Sequence, residues 1–113
     1  MSLTNSIVYL YGFSPTLEKK LDTLLEILNK QTELDIEIFL VLIHDGVIGT
    51  SKNGITPKSI KKLLNLPIIV YAVIPDIKAR GMDPFNLISK IKGMEYEDLV
   101  DLLVTTEKIV SWM

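Results

Sequence analysis

The chain has 113 residues, no cysteine and a formal net charge of -2. A chain of this length usually builds one core, so we expect residues 1–113 to form a single domain. The lack of thiols excludes disulfides, cysteine-ligated metal sites, a thiolate nucleophile and a persulfide carried on this chain. The lysines are spread along the sequence, so no basic stripe indicates direct nucleic-acid binding.

Hydrophobic residues make up 48% of the chain, which is high for a small protein, because small proteins have much surface relative to interior. We therefore expect part of the apolar surface to contact a partner. The longest apolar run, residues 66–74, contains Pro67 and is shorter than the ~20 residues that a membrane span needs. Residues 1–5 carry no secretion signal, so a cytoplasmic location is expected.

The first part of the chain predicts a strand, a helix and a second strand. Residues 6–11 (SIVYLY) are apolar, β-branched and aromatic, which is typical of a buried strand. Ser14 suits an N-cap and Pro15 the first helical position. Apolar residues then recur at helical spacing, at Leu17, Leu21, Leu24, Leu25 and Leu28. Residues 35–43 begin with alternation and end as a continuous apolar run, which predicts a central strand.

The middle of the chain predicts a loop, a short helix and a third strand. Residues 47–56 are rich in Gly, Ser and Asn, which predicts a loop of above-average length. Thr56 is expected to cap a short helix, with Pro57 at its first position. Residues 67–74 (PIIVYAVI) form the clearest strand pattern of the sequence.

The last part predicts helical elements around one ambiguous segment. Residues 75–80 predict a helical turn that ends at Gly81, a residue suited to the left-handed position after a helix. We predict a short strand at 85–91, with a short helix as the alternative. Residues 96–104 predict an amphipathic helix, and 108–113 are given no element. The alternation predicts an α/β fold: a single three-layer domain with a mainly parallel sheet of four to five strands and helices on both faces.

Ligands of open α/β sheets gather beyond the carboxyl ends of the strands, so the candidate site lies there. Its expected members are residues 12–14, 44–46 and 76–80. The single glycine of YGFSP offers few backbone donors, which disfavours a nucleotide cradle. We expect neither a cofactor nor a catalytic residue.

His44 is the only histidine of the chain, and Asp45 beside it suggests a general-base pair. Adjacent strand residues point to opposite faces, however, and no cysteine or serine elbow is present for His44 to activate. These points favour a structural role for His44. A metal site of His44, Asp45 and Asp76 lacks any recognised ligand spacing, so none is expected.

Arg80 is the only arginine and follows Asp76 by one helical turn. Asp45 and Asp76 end two strands that we expect to be neighbours, so Arg80 is predicted to make a charge-assisted hydrogen bond to one of them. Such a bond serves either as a local brace or as a shaped contact for a partner. The brace is favoured because structural ion pairs are common.

Several segments together resemble the TusB/DsrH family, and the resemblance is strongest from about residue 42 to the end. The segments that carry it are His44-Asp45-Gly46-Val47, Val70-Tyr71-Ala72, residues 76–81, residues 96–102 and Ser111-Trp112. The order and spacing of these segments also fit the family. The first 40 residues resemble it only as a strand followed by a helix.

The resemblance implies a small α/β subunit of DsrE/DsrF/DsrH-type sulfur-relay complexes, which are heterohexamers with TusD/DsrE-like and TusC/DsrF-like chains. Such complexes serve 2-thiouridine formation at the tRNA wobble position, or sulfur oxidation. Their persulfide cysteine belongs to the TusD/DsrE-like subunit, and a cysteine found in some DsrH members is missing here. The resemblance therefore implies a supporting role.

Within that role we assign Asp45, Asp76, Arg80 and Gly81 to shaping the strand-end region, together with Gly46. Trp112 is expected to close the core or to form part of an interface. One alternative is a stand-alone homo-oligomer that binds a small ligand at the strand ends, with His44 and Asp45 as its polar groups.

Overall fold

The structure, a computed structural model, describes residues 3–14 and 18–113. Its elements in chain order are β1 (Leu3–Tyr11), α1 (Glu18–Gln31), β2 (Glu37–Leu42), a 3₁₀ turn (His44–Val47), α2 (Lys58–Leu63), β3 (Ile69–Val73), α3 (Ile74–Ala79), a second 3₁₀ turn (Pro84–Asn86), β4 (Ile91–Met94), α4 (Tyr96–Thr105) and β5 (Thr106–Trp112). Within these described residues, no helix is long and apolar enough to cross a membrane.

The five strands form one parallel sheet in the order β4-β3-β2-β1-β5. Tyr9 of β1 lies opposite Leu40 of β2 on one side and Val110 of β5 on the other, so β1 and β2 occupy central positions. Parallel neighbours need crossover connections, and the helices supply them. The predicted α/β fold is confirmed.

Helices α1 and α2 cover one face of the sheet, which we call the α1–α2 face. The apolar residues of both helices pack on inward-facing strand residues, and the helix side of this core consists of Leu21, Leu24, Leu25, Leu28, Ile60 and Leu63. Each fully buried leucine contributes about 2 kcal/mol through removal of its side chain from water. This layer therefore accounts for much of the hydrophobic stabilisation.

Helix α4 covers the opposite face, which we call the α4 face. Leu99 is buried there, and Leu102 and Leu103 pack beside it on the strands. The sheet side of this core consists of Val8, Leu10, Phe39, Val41, Ile43, Val73 and Met94. Helices thus cover both faces, as the three-layer prediction requires.

The three predicted strands at 6–11, 35–43 and 67–74 correspond to β1, β2 and β3. The predicted cap at Thr56 is wrong. Helix α2 begins at Lys58, its N-cap is Pro57, and no side chain caps it. Pro57 has the extended ψ angle of 147° that a residue before a helix adopts, so the helix starts one residue later than expected. The predicted start of α1 at Pro15 lies outside the described residues.

The strand predicted at 85–91 is wrong, and its helical alternative holds only for Phe85 and Asn86, which end a 3₁₀ turn. The Asp83 side chain accepts a hydrogen bond from the Phe85 N–H (2.9 Å), which starts a 3₁₀ turn at Pro84. Leu87 makes only an isolated antiparallel bridge with Ser51. Regular pairing with β3 begins at Ile91, so β4 shares only that residue with the predicted segment.

The ends of β1 and β2 meet at a backbone contact that leaves no room for a side chain. The Ile43 N–H donates to the Tyr11 carbonyl (3.0 Å), and the Gly46 N–H donates to the Ile43 carbonyl (2.8 Å). A Cβ atom at Gly46 would overlap the Tyr11 carbonyl oxygen. Gly46 is therefore required because the backbone of another strand approaches it closely.

We expect Gly46→Ala to lower the free energy of unfolding by at least about 2 kcal/mol, since the overlapping atom is rigid backbone. Gly54→Ala is the matched control, because nothing lies within 4 Å of a Cβ there. Urea unfolding followed by circular dichroism measures both variants. Equal stabilities would contradict the close-contact explanation.

Candidate functional site

The buried carboxylate of Asp76 lies at the centre of the strand-end region. It follows β3 in the first turn of α3 and is only 8% exposed. One oxygen accepts from the His44 N–H (2.8 Å) and the other from the Tyr96 hydroxyl (3.0 Å). Asp76 therefore joins the segment after β2, the start of α3 and the start of α4.

Arg80 connects Asp76 to Asp45. Its Nε and Nη2 atoms donate to one Asp45 oxygen (3.1 and 2.9 Å), and its Nη1 donates to the Asp76 carbonyl (3.1 Å). The predicted bond to Asp45 is present, whereas Asp76 is reached through its backbone. The Arg80 and Asp45 side chains are 27% and 60% exposed. Water therefore screens their ion pair, and its net contribution to stability is small. We refer to Asp76, His44, Tyr96, Arg80 and Asp45 as the strand-end clasp.

His44 contributes its backbone to the clasp. Its φ angle is 50°, a left-handed conformation that is costly for a residue with a side chain. The hydrogen bond to Asp76 holds this conformation. Across residues 3–14 and 18–113, no hydrogen bond joins the His44 ring to Asp45, so the two residues do not form the general-base pair that their adjacency suggests. Nor do these residues contain a group of three metal-ligating side chains.

Gly81 ends α3 with a φ angle of 71°, the left-handed conformation predicted for it. Its N–H donates to the Lys78 carbonyl (3.0 Å), and the Met82 N–H donates to the Ile77 carbonyl (3.1 Å). These bonds satisfy carbonyls that the helix end leaves free. Gly81 thus fixes the direction in which the chain leaves the clasp.

Trp112 lies beside the strand ends on β5. It is half-buried and packs against the core of the α1–α2 face, and its carbonyl accepts from the Gly12 N–H (2.9 Å). This packing agrees with the expected role of Trp112 in closing the core. Part of its side chain stays exposed, so its role in an interface remains a prediction.

Sequence analysis missed Tyr96 as a member of this region. Its hydroxyl reaches Asp76 across 20 positions of sequence, and nothing in the local pattern distinguishes it from any aromatic residue of an amphipathic helix. The pKa of Tyr96 is raised, chiefly by this hydrogen bond, then by partial burial and by the negative charge of Asp76, while Arg80 opposes the shift. The neutral, hydrogen-bonded phenol is therefore favoured.

The sequence matches the family described as DsrH like protein over residues 13–109. The chain belongs to the DsrH family. Protein TusB from Pectobacterium atrosepticum is 33% identical over 92 residues, which cover 81% of this chain and 86% of that protein. Protein TusB from Enterobacter sp. strain 638 is 37% identical over 73 residues, which cover 65% of this chain and 73% of that protein. The suspected family is confirmed.

Solved structures show the same fold as this DsrH family member. The ychN protein from E. coli superposes with a TM-score of 0.74 at 13% identity, covering 96% of this chain and all of that one. MTH1491 from Methanobacterium thermoautotrophicum has a TM-score of 0.65 at 14% identity, covering 91% and 96%. At these identities the likeness extends to the fold alone.

We expect Asp76→Ala to destabilise this DsrH family member by about 1–3 kcal/mol, because it leaves the part-buried His44 N–H and Tyr96 hydroxyl without their shared acceptor. Asp45→Ala removes only a screened surface pair and should cost below about 1 kcal/mol. Urea titration of the two variants compares them directly. Equal losses would show that the buried carboxylate is not the centre of the clasp.

We expect the free energy of unfolding to fall above about pH 10, the ordinary pKa of tyrosine. Burial raises the pKa of Tyr9 and Tyr11, and the bond to Asp76 raises that of Tyr96. Above that pH the unfolded chain binds fewer protons than the folded one, so stability decreases as pH rises. Urea unfolding between neutral pH and pH 11 tests this, and Tyr96→Phe should make the decrease shallower. An unchanged slope in that variant would contradict the role given to Tyr96.

Proposed function

We propose that this chain is a non-catalytic, thiol-free subunit of a sulfur-relay complex, in which a TusD/DsrE-like subunit carries the persulfide and a TusC/DsrF-like subunit completes the assembly. The sulfur serves 2-thiouridine formation at the tRNA wobble position or an equivalent step of sulfur oxidation. The observation that carries the proposal is the absence of cysteine from a member of the DsrH family.

The chemistry of sulfur relay supports this division of labour. Sulfur moves when a thiolate attacks the outer sulfur of a persulfide, so each carrier needs a thiol that ionises near neutral pH. A chain without thiols contributes shape, charge and docking. Its role is to orient the thiol of a partner.

The strand-end clasp is the part of the chain that we assign to this orientation. Asp76 joins three segments, and Arg80 donates two hydrogen bonds to the exposed Asp45 carboxylate. Gly46 and Gly81 set the backbone path on either side. The backbone around Asp76 can therefore present one geometry to a partner, since a preorganised segment loses little freedom on binding.

The alternative of a stand-alone ligand binder has weaker support. It needs His44 and Asp45 as converging polar groups, whereas the Asp45 carboxylate is bonded to Arg80. The membership in the DsrH family also gives no separate support for ligand binding.

Reconstitution with the two partner types and a radioactive sulfur donor tests the proposal. We expect labelled sulfur on the partner's cysteine and none on this chain. Omitting this chain should lower the rate of transfer, because the partner's thiol loses its positioning subunit.

Arg80→Ala should lower the transfer rate several-fold while the complex still forms. Lys30→Ala, an exposed position in the last turn of α1, is the matched control and should transfer at the native rate. Sulfur bound covalently to this chain, or a transfer rate that does not depend on it, would overturn the proposed role.

A further inference from the structure

Two dipeptides of the chain place an aspartate or asparagine before a glycine: Asp45-Gly46 and Asn53-Gly54. In such a dipeptide the backbone nitrogen of the glycine can attack the side-chain carbonyl carbon of the residue before it, because glycine has no Cβ to hinder the approach. The product is a cyclic succinimide. The two dipeptides are alike in sequence, but the structure surrounds them differently.

The fold holds Asp45-Gly46 at both residues. The Gly46 N–H donates to the Ile43 carbonyl (2.8 Å), which engages the nitrogen that would attack. Gly46 is also buried against the Tyr11 carbonyl oxygen, and this contact opposes the backbone rotation that the attack requires. The Asp45 carboxylate accepts two hydrogen bonds from Arg80. The folded chain therefore protects this dipeptide.

The fold leaves Asn53-Gly54 accessible. The Gly54 N–H lies 3.5 Å from the Ser51 carbonyl, which is at the limit of a hydrogen bond, so its nitrogen is held weakly. Apart from its neighbours in the chain, no heavy atom lies within 4 Å of a Cβ built on Gly54. Both residues are exposed, and Ile55 after them is 95% exposed. In the described part of the chain, no hydrogen bond holds the Asn53 side-chain amide.

The segment just before this dipeptide is anchored. The Lys52 N–H donates to the Asn86 carbonyl (2.7 Å), and the Ile88 N–H donates to the Thr50 carbonyl (2.9 Å). Exposed segments with weak backbone bonds open at a lower free energy than segments bonded in this way. The backbone at Asn53 can therefore rotate into the reactive geometry without unfolding of the domain.

We propose that Asn53 is a site of spontaneous deamidation in the folded chain, whereas Asp45 is protected from the equivalent reaction. The Gly54 nitrogen gives its proton to water and forms a bond to Cγ of Asn53, and the side-chain nitrogen leaves as ammonia. Water then opens the ring. Opening at Cγ gives aspartate, and opening at the backbone carbonyl gives isoaspartate, in which the main chain runs through the former side chain.

The reaction brings a negative charge to a segment that has none. Residues 48–58 contain no acidic residue, and the neighbouring Lys52 is exposed. Asn53, Gly54 and Ile55 line an open depression of about 470 Å³, so the new carboxylate lies at its edge. Isoaspartate also lengthens the backbone by a methylene group. The loop therefore changes both its charge and its path as the chain ages.

Peptide mapping by mass spectrometry tests the proposal on purified, folded chain incubated at physiological temperature and mildly alkaline pH. We expect loss of the amide at Asn53, and isoaspartate there should accept a methyl group from S-adenosylmethionine in the presence of protein isoaspartyl methyltransferase. The other four asparagines precede residues other than glycine and should stay intact over the same period; they are Asn5, Asn29, Asn65 and Asn86.

The same incubation in urea separates the effect of the fold from that of the sequence. Unfolding releases Gly46, so isoaspartate should then form at Asp45 as well. The rate at Asn53 should change by less than about tenfold, because the folded loop needs little opening to react.

Gly54→Ala adds a Cβ beside the attacking nitrogen and should slow the loss of the Asn53 amide about tenfold. The site has room for this Cβ, so the variant should keep the native circular dichroism spectrum. Asn65→Gln, at another exposed asparagine, is the matched control and should leave the rate at Asn53 unchanged.

Three outcomes would overturn the proposal: an Asn53 amide that is lost in urea but stable in the folded chain, isoaspartate at Asp45 of the folded chain, or an unchanged rate in Gly54→Ala. Every one of these measurements is made on the isolated chain, without sulfur transfer. Their failure therefore leaves the function proposed above untouched.

Discussion

The strand-end region depends on one buried carboxylate. In the described part of the chain, Asp76 is the only charged side chain that is buried. Its two oxygens accept hydrogen bonds from the His44 backbone N–H and the Tyr96 hydroxyl. A buried charge without such partners would be costly, so the three segments must keep their positions for Asp76 to remain satisfied. The left-handed backbone of His44 is held by the same bond.

Helix α4 combines three roles in ten residues. Leu99 packs on the sheet, Tyr96 completes the clasp, and Val100 and Val104 face solvent. A helix that packs on one side and is apolar on another is typical of a chain that functions in an assembly. The sulfur-relay role proposed above would also involve an assembly, because a chain without thiols leaves thiolate chemistry to another chain.

The strands predicted correctly are those whose apolar runs are long enough to indicate a buried strand. β1, β2 and β3 are central or adjacent to the centre, so their runs are continuously apolar and easy to recognise. β5 was missed because it is an edge strand: the exposed polar residues Glu107, Lys108 and Ser111 interrupt its apolar pattern. The segment at 85–91 failed because a single Asp83 side chain directs it into a turn.

The sequence by itself determined the α/β class, the family and the absence of thiol chemistry, since these follow from local patterns and from residues that are present or missing. It also indicated that Arg80 meets an aspartate at the strand ends, because the ends of neighbouring parallel strands lie at one edge. Only the tertiary structure decided that Asp45 receives the guanidinium, that Asp76 receives Tyr96, and that Gly46 must lack a side chain. Those contacts join residues 20 to 35 positions apart, and their geometry depends on how whole elements pack, which no local pattern records.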